Sequence, residues 1–379
     1  MTTPHALTEL SNAGVSIWLD DLDRHRLATG DLTRMIDTMC VRGVTTNPSI
    51  FEKAVSAGAA DYAAQISALA LTGASVDDII RVLTTDDVRA ACDQFTAVWD
   101  GSKGVDGRVS IEVDPRLAHD TQGTIDAAVQ LWAIVERPNA LIKIPATPEG
   151  LSAITAVIGQ GISVNVTLIF SVARYREVIE AYLAGLEIAR AAGHQLGAIE
   201  SVASFFVSRV DAAIDPLLDD LTSQGAPEAL GLRGKAAIAN ARLAWAAFQE
   251  SLTSPRWATL RSEGAHPQRP LWASTGVKDP AYPDTRYIVE LVAPGCVNTM
   301  PEATLLAVAD HGTVIGDTMT ALTADAAKTW AALTDLGFSE ADICSTLEAQ
   351  GVQKFIDAWE ALRATVQQAM ITSAPGSVQ

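Results

Sequence analysis

Cysteine is scarce in this chain and histidine is scattered, which limits the kinds of site the chain can build. Four cysteines occur among 379 residues, at Cys40, Cys92, Cys296 and Cys344. They form no CxxC pair and lie far from any group of histidines. Structural zinc sites and disulfide frameworks need closely spaced or paired cysteines. We therefore predict neither a metal site nor a disulfide framework.

Long apolar runs are also missing. No stretch of about 18 consecutive apolar residues occurs, so we expect no membrane-spanning helix. The first residues, Met1 to Leu10, have neither a basic segment nor an apolar one, so we expect no signal peptide. With few cysteines and no targeting segment, the sequence favours the cytoplasm as the location of the protein.

Basic residues are few compared with acidic ones. Lys and Arg number 27 against 45 Asp and Glu, for a formal net charge of −18. Such a charge argues against nucleic acid or an anionic membrane as the main partner. A small anionic substrate is still compatible, because a few local cations can hold a phosphate. The sequence has no GxGxxG or GxxxxGK[ST] motif, so we predict no nucleotide cofactor and no other cofactor.

What the chain does contain is apolar sequence in short runs that alternate with helical periodicity. Hydrophobic residues make up 48% of the chain, enough for a large core. Eight runs are predicted as strands: Ser16–Leu19, Gly43–Thr46, Arg108–Glu112, Leu141–Pro145, Ser163–Val166, Ile199–Val202, Leu271–Ser274 and Tyr287–Val292. An open doubly wound sheet would more often have five or six strands. The pattern therefore predicts an α/β protein, a (β/α)8 TIM barrel with additional helices, as one domain over residues 1–379.

Helices are predicted between the strands and at both ends. Ser171 to Ala192 repeats apolar residues every three or four positions. Beyond an N-terminal helix, we expect helical insertions near 50–105 and 211–270 and C-terminal helices over 301–371. The last of these read as separate helices, Ser339–Gln350 and Val352–Met370, before a frayed tail over Ser373–Gln379. The C-terminal helices could cover the barrel or make a contact in a homo-oligomer.

Polar side chains stand where the predicted strands end, which in such barrels is the end that carries the active site. The candidates are Asp20, Asn47, Glu112, Lys143, Asn165, Thr167, Ser204, Arg209, Ser274 and Lys278, with Phe206 as a candidate pocket wall. No His, Cys or acidic cluster with metal-ligand spacing is among them.

Lys143 carries the most information because it lies between Ile142 and Ile144 in an apolar run. Burial disfavours the charged ammonium of a lysine and favours the free amine, which can attack a ketone carbonyl. The alternative is a lysine whose stem packs on apolar surface and whose head reaches solvent or pairs with Glu112. The spacing of residues alone leaves both readings open.

The other candidates have similar alternatives. Asp20 and Glu112 are suited to general acid–base catalysis, or they could cap a helix or pair at the surface. We prefer Asp20 to the adjacent Asp21, because Asp20 continues the strand. Asn47 precedes a proline and could cap the following helix. Asn165 stands in a strand interior, where a buried amide needs partners.

At this point three ordered segments resemble a known family. Gly43-Val44-Thr45-Thr46-Asn47-Pro48-Ser49 is similar to the first transaldolase signature, and Leu141-Ile142-Lys143-Ile144-Pro145-Ala146-Thr147 is similar to the second. The segment Val164 to Ser171 matches the family after it. The resemblance runs from about Gly14 to about Pro301 and is strongest to the longer, actinobacterial transaldolases.

The resemblance implies a metal-free, Schiff-base aldolase mechanism that moves a dihydroxyacetone unit from a ketose phosphate to an aldose phosphate. It implies that Lys143 forms the imine and that Asp20 takes the proton from the C4 hydroxyl of the donor. It further implies that Glu112 and Thr167 position the water used in imine formation and hydrolysis.

For substrate binding, the resemblance implies that Asn47, Asn165 and Ser204 hold hydroxyls and that Arg209 binds phosphate. This chain departs from the shorter family members in two places. It reads Ser204-Phe205-Phe206-Val207-Ser208-Arg209 where they read Ser-Pro-Phe-Val-Gly-Arg. It also has Ser274 followed by Lys278 where they place an arginine near the serine, so Lys278 is the candidate for the second phosphate cation.

Three functions remain open from the sequence. The first is a transaldolase. The second is a simple aldolase that releases dihydroxyacetone. The third is a barrel that binds sugar phosphates without turnover. The polar set at the strand ends together with an intact lysine and two acids favours the first.

Overall fold

The computed structural model describes residues 3–372 and contains a closed barrel of eight parallel strands. The strands are β1 Ser16–Leu19, β2 Val41–Val44, β3 Arg108–Glu112, β4 Ala140–Pro145, β5 Val164–Ile169, β6 Ser201–Phe206, β7 Arg269–Ala273 and β8 Val297–Met300. Each strand pairs with its neighbour in sequence, and β8 closes the barrel against β1 with Ser16 opposite Val297. The predicted (β/α)8 fold is confirmed.

Helices surround this barrel. They are α1 His5–Asn12, α2 Arg24–Thr29, α3 Asp31–Thr38, α4 Pro48–Ala57, α5 Ala59–Leu71, α6 Val76–Gln94, α7 Thr96–Gly101, α8 Thr121–Val135, α9 Pro148–Gly159, α10 Val172–Ala191, α11 Ser208–Ser223, α12 Ala236–Ser251, α13 Pro255–Ser262, α14 Arg286–Val289, α15 Glu302–His311, α16 Thr323–Asp335 and α17 Glu340–Thr372. Short 3₁₀ turns lie at Pro115–Leu117, Leu196–Ala198, Pro227–Leu232 and Thr320–Leu322. Within the described residues, no helix is long and apolar enough to cross a membrane.

The prediction of the eighth strand is wrong. Tyr287–Val292 contains helix α14 and the turn after it, and the strand is formed by Val297–Met300. The helical segment is buried, so its apolar residues resemble those of a core strand. The real strand is less apolar because it carries Asn298 and Thr299. Thr299 lines the cavity inside the barrel, and on the opposite face Asn298 Nδ2 donates to the Tyr287 carbonyl at 3.1 Å. Burial alone does not separate a short buried helix from a strand.

Two other strands run further than predicted. β5 extends to Ile169 and β6 to Phe206, so Thr167, Ser204 and Phe206 lie within strands rather than after them. The ladder between these strands is irregular between Val166 and Ile169, where Leu168 has a φ of 60°. The barrel wall is therefore taller on this side than the sequence pattern indicates.

The predicted break between two C-terminal helices is also wrong, because α17 continues through Gly351 without interruption. A Cβ at Gly351 would lie 3.0 Å from Leu168 Cδ2 and 3.5 Å from Arg209 Nη1. The glycine thus marks a close approach of α17 to the end of β5 rather than a helix end. Of the two roles considered for the C-terminal helices, the structure shows that α17 covers the barrel mouth. The predicted tail, Ser373–Gln379, lies outside the described residues.

Candidate active site

Strand register places three of the candidate residues side by side. In the ladders of β3, β4 and β5, Glu112 pairs with Lys143 and Lys143 pairs with Asn165. Because side chains alternate along a strand, Ile142 and Ile144 face the opposite side from Lys143. Ile142 and Ile144 therefore pack against the surrounding helices, and Glu112, Lys143 and Asn165 lie close together inside the barrel.

The amine of Lys143 is held in a buried position with few polar neighbours. Its side chain is 5% exposed, and Nζ donates to the Thr46 carbonyl at 2.9 Å. Glu112 Oε2 lies 3.5 Å from Nζ, and the centre of the Phe355 ring lies 5.7 Å away. The pairing with Glu112 that was considered as an alternative is present, and the amine also lines a cavity. A buried amine at a cavity wall is positioned to act as a nucleophile.

Glu112 lies deep in the barrel beside this amine. Burial raises the pKa of Glu112 to about 7, although the charge of Lys143 opposes the shift. Its Oε2 has no hydrogen-bond partner within residues 3–372. A carboxyl group that titrates near neutrality can both take up and release a proton, which suits general acid–base catalysis.

Asp20 follows β1 and faces the same cavity. Its backbone N–H donates to the Met300 carbonyl at 2.8 Å, and its Oδ1 accepts from Thr45 Oγ1 at 2.7 Å. Burial raises the pKa of Asp20, with Lys143 and the Thr45 hydrogen bond opposing the shift. The adjacent Asp21 instead pairs with Arg26 at 3.3 Å. The geometry thus favours Asp20 over Asp21 as the reactive acid.

A chain of hydrogen bonds connects the buried amide to the cavity wall. Ser204 Oγ donates to Asn165 Oδ1 at 2.7 Å, and Asn165 Nδ2 donates to Ser110 Oγ at 2.9 Å. Asn165 therefore has the partners that a buried amide needs, and it orients the Ser204 hydroxyl. Thr167 is fully buried, and its Oγ1 has no partner among the described side chains and backbone groups.

The cavity at the C-terminal mouth of the barrel has a volume of about 170 Å³. Its lining brings together most of the predicted residues: Asp20, Asn47, Lys143, Ser204, Phe206, Arg209, Ser274 and Lys278. Glu112, Asn165 and Thr167 lie behind this surface. Asn47 caps α4 by accepting from the Ile50 N–H at 3.0 Å, so the capping role considered for it is present together with its place in the cavity.

The cationic side of the cavity is built by residues after β6 and β7. The Arg209 guanidinium lies 5.3 Å from the Phe206 ring centre, and burial lowers the pKa of Arg209. Partial burial and the nearby Lys354 and Arg209 lower the pKa of Lys278. Neither the Arg209 side chain nor the Lys278 side chain has an ion pair or hydrogen bond within the part of the chain that the structure describes. Unpaired cations at a cavity mouth are suited to binding an anion.

Ser274 directly follows β7 and has a backbone conformation that is unusual for a residue other than glycine. Its φ is 54°, in the left-handed region. Its carbonyl accepts from the Ser208 N–H at 3.1 Å, and its hydroxyl lies 3.0 Å from Ser208 Oγ. This contact joins the start of the loop that carries Lys278 to the start of α11. Non-glycine residues in this region often lie at functional sites.

Sequence reasoning missed the contribution of α17. Lys354 and Phe355 line the cavity, as do Thr45, Ser49, Thr299 and Pro301. Nothing in the local sequence of α17 distinguishes these residues from others on a surface helix. Their role depends on where the helix crosses the barrel, which is a property of tertiary packing. Within residues 3–372, no three His, Cys, Asp or Glu side chains are grouped so that they could hold a metal ion.

Comparison with known proteins adds independent information. A family model described as "Transaldolase/Fructose-6-phosphate aldolase" matches residues 17–366. A protein of Mycolicibacterium paratuberculosis named "Transaldolase" is 60% identical over 362 residues, which cover 95% of this chain and 96% of that protein. Similar proteins with the same name occur in Mycolicibacterium smegmatis, 60% identical over 94% of this chain and 95% of the relative, and in Mycobacterium tuberculosis, 59% identical over the same shares.

Proposed function

This enzyme belongs to the transaldolase/fructose-6-phosphate aldolase family, and we propose that it transfers a dihydroxyacetone unit from a ketose phosphate to an aldose phosphate through an imine on Lys143. The donors would be sedoheptulose 7-phosphate or fructose 6-phosphate, and the acceptors glyceraldehyde 3-phosphate or erythrose 4-phosphate. This reaction belongs to the non-oxidative pentose phosphate pathway of the cytoplasm. The observation that carries the proposal is the buried Lys143 amine, 3.5 Å from Glu112 in a cavity that Asp20 also lines.

Imine formation uses the deep part of the site. The Lys143 amine attacks the C2 carbonyl of the donor, and the carbinolamine that forms then loses water. Glu112 supplies and removes protons for these steps, because its pKa of about 7 allows both directions at neutral pH. Glu112 Oε2, which lies 3.5 Å from the Lys143 amine, and Thr167 Oγ1 are both buried without a hydrogen-bond partner among the described residues, so each could hydrogen-bond to a bound water. That water would be the one released and later consumed.

Cleavage of the sugar uses Asp20. The Asp20 carboxylate takes the proton of the C4 hydroxyl, the C3–C4 bond breaks, and its electron pair moves into the imine. An aldose phosphate leaves, and three carbons stay on Lys143 as an enamine. When an acceptor aldehyde binds, the enamine attacks it, Asp20 returns the proton to the new hydroxyl, and water hydrolyses the imine. The raised pKa of Asp20 favours proton transfer in both directions.

The remaining polar residues would orient the sugar. Asn47 and Ser204 lie on the cavity wall, and Asn165 holds Ser204 in place, so this group suits the hydroxyls of the dihydroxyacetone part. Phe206 forms an apolar wall beside Arg209. Arg209, Ser274 and Lys278 lie together on one side of the cavity, which suits the phosphate. Holding both ends of the donor places its C2 carbonyl at the Lys143 amine.

The family description includes a second activity, so a simple aldolase that releases dihydroxyacetone is the other candidate. The two activities differ in the fate of the three-carbon enamine. A transaldolase keeps it until an acceptor arrives, whereas an aldolase releases it by hydrolysis. The release of free dihydroxyacetone from fructose 6-phosphate, measured with and without an acceptor aldehyde, separates them. Equal release in both conditions would favour the aldolase.

The central test is to trap the imine. The protein is incubated with fructose 6-phosphate, reduced with borohydride and digested, and the peptides are measured by mass spectrometry. We expect an adduct on the Lys143 peptide of the wild type and of the control Lys328→Ala, since Lys328 is an exposed lysine paired with Asp325. Lys143→Ala should have no adduct and no activity while it keeps its circular dichroism spectrum. An unmodified Lys143 in the wild type would contradict the proposal.

A further inference from the structure

Helix α17 lies across the barrel mouth, and its geometry there depends on Gly351. The position of a Cβ on this glycine would be 3.0 Å from Leu168 and 3.4 Å from Phe170, both at the end of β5. Residues three and four positions further on lie on the same helix face. Those residues are Lys354 and Phe355, which both line the cavity. The close approach at Gly351 therefore sets the position of these two side chains over the site.

We propose that Lys354 is a third phosphate-binding cation, which holds the phosphate of the sugar together with Arg209 and Lys278. This inference rests on the proposed function and deepens it, because it assigns part of the substrate site to the C-terminal helix. All three side chains line the same cavity. None of the three side chains has an ion pair or hydrogen bond to any residue in the range 3–372.

The absence of partners is informative because this chain is rich in carboxylates, with a net charge of −18. Other cations near α17 do have partners. Arg363 pairs with Asp77 at 2.8 Å, and Arg174 pairs with Glu348 at 3.3 Å. Asp20 lines the same cavity and acts on Lys278 through its charge, but it forms no ion pair with Arg209, Lys278 or Lys354 within residues 3–372, so three positive charges face one carboxylate at this side of the cavity. Such an excess of positive charge favours an anion with two charges, such as a sugar phosphate.

The helix that carries Lys354 is held firmly in place. Phe355 is 4% exposed and lies against the Lys143 amine, and the pairs of Arg363 and Arg174 tie the two ends of α17 to α6 and α10. Lys354 itself is exposed at the rim. Its backbone is therefore fixed, and the flexible side chain can reach toward a phosphate between Arg209 and Lys278. Lys354 contributes to binding and takes no part in the bond-breaking steps at Lys143.

The test compares Lys354→Met with Lys354→Arg and with Lys328→Met, a control that removes one exposed lysine charge from another helix. All are purified as full chains, and their thermal unfolding is compared first. Calorimetry measures the Kd of inorganic phosphate. Steady-state assays give KM and kcat for fructose 6-phosphate with an acceptor aldose phosphate, and the rate with unphosphorylated fructose as donor.

We expect Lys354→Met to raise the Kd of phosphate and the KM of fructose 6-phosphate about tenfold, the effect of losing one hydrogen bond to a charged group. We expect kcat and the rate with fructose to stay unchanged, Lys354→Arg to restore most of the affinity, and Lys328→Met to behave as wild type. A Kd and KM of Lys354→Met within about twofold of wild type would overturn the inference. So would a loss confined to kcat, or a wild type that does not bind phosphate. If phosphate binding weakens as expected but the wild type does not turn over fructose 6-phosphate, the proposed function fails and the anion site stands.

Discussion

The two ends of the barrel hold the same kinds of charged side chain in different arrangements. At the N-terminal end, Arg269 pairs with Asp106 at 3.0 Å, and His266 is in close contact with Glu200. At the C-terminal end, Arg209 and Lys278 have no such partners within residues 3–372. Both ends are crowded with polar groups, so composition alone does not separate them.

At the N-terminal end, the charges satisfy one another or the backbone. Arg108 donates from Nε to the Gly104 carbonyl at 2.7 Å and from Nη1 to the Pro138 carbonyl at 2.9 Å. Asp106 also accepts from Ser16 Oγ at 2.7 Å, which joins β1 to this network. Most of these polar groups are paired, although Arg269 Nε is buried without a hydrogen-bond partner among the described residues, and such a network closes the bottom of the barrel and supports folding.

At the C-terminal end, the buried acids Glu112 and Asp20 are only partly compensated, by the Lys143 amine and by Thr45. Burial raises the pKa of Glu112 and Asp20, and their acidic groups lie near an amine rather than in a closed network. Such an arrangement opposes folding and favours a ligand that supplies the missing contacts. The two ends therefore differ in specific cations: Arg269 at the N-terminal end has an ion-paired carboxylate, whereas Arg209 and Lys278 beside the candidate site have none within residues 3–372. Matched substitutions at the two ends can test this.

The largest effect is expected from an Asp→Asn pair. Asp20→Asn removes the proposed base, so kcat should fall by about 10²- to 10⁴-fold, the usual contribution of a general acid–base group. Asp106→Asn leaves Arg269 without its counter-charge, so the free energy of unfolding should fall by about 1–3 kcal/mol while kcat per folded molecule is unchanged. Steady-state kinetics and urea unfolding measure the two quantities. Equal losses of kcat in Asp20→Asn and Asp106→Asn would contradict the assignment of a catalytic role to Asp20 and a structural role to Asp106.

An Arg→Met pair is the next largest. Arg269→Met breaks a buried ion pair at the N-terminal end, and the free energy of unfolding should fall by about 3–5 kcal/mol. Arg209→Met removes a half-buried cation that has no partner, so stability should be unchanged or higher. Its KM for fructose 6-phosphate should rise about 10- to 100-fold. A marked loss of stability in Arg209→Met would show that this arginine has a structural role.

A Glu→Gln pair tests pH dependence. The pKa of Glu112 is raised to about 7 in the folded protein, so its stabilising contribution is complete below its unfolded value near 4.5 and is lost as the pH rises to about 7. Glu112→Gln should therefore be more stable than wild type at pH 8, by up to about 3 kcal/mol, and equal to it near pH 4.5. The loss of a counter-charge for Lys143 offsets part of this gain.

The matched variant Glu200→Gln should be less stable than wild type, because His266 and Arg108 lose a nearby negative charge. Urea unfolding at a series of pH values measures both variants. A destabilised Glu112→Gln at pH 8 would indicate that the carboxylate is well compensated in the native site.

The smallest effect is expected at His266. Its hydrogen bond with Glu200 raises the pKa of His266, so this contribution is complete below the unfolded pKa near 6.5 and is lost as the pH rises through the folded value. His266→Gln should thus be less stable than wild type at pH 5.5, by less than about 1 kcal/mol, with the difference vanishing at high pH. Both His266→Gln and Glu112→Gln gain stability relative to wild type as the pH rises, but the difference from wild type is largest at low pH for His266→Gln and at high pH for Glu112→Gln. A constant difference across the pH range would argue against titration of His266.

Much of the barrel could be read from the sequence because its strands have strong local signals. β1 and β3 match their predicted bounds, and alternation along β3, β4 and β5 predicts which of their side chains face the interior. β8 could not be read in this way. It carries the polar residues Asn298 and Thr299, both buried, and the more apolar Tyr287–Val292 nearby is buried as a helix and turn. Hydrophobicity reports burial, and burial does not specify the backbone conformation.

Some residues of the candidate site could be predicted from the sequence, and others could not. Lys143, Asp20 and Glu112 stand at strand ends, and the parallel order of the strands brings them together, so sequence reasoning could propose them as a group. Lys354 and Phe355 reach the site only because α17 continues through Gly351 and packs on the end of β5. The sequence alone determined the chemistry at the strand ends, since local alternation decides which way those side chains face. Only the tertiary structure decided what covers the site and which cations stay unpaired, because both depend on contacts between segments far apart in the chain.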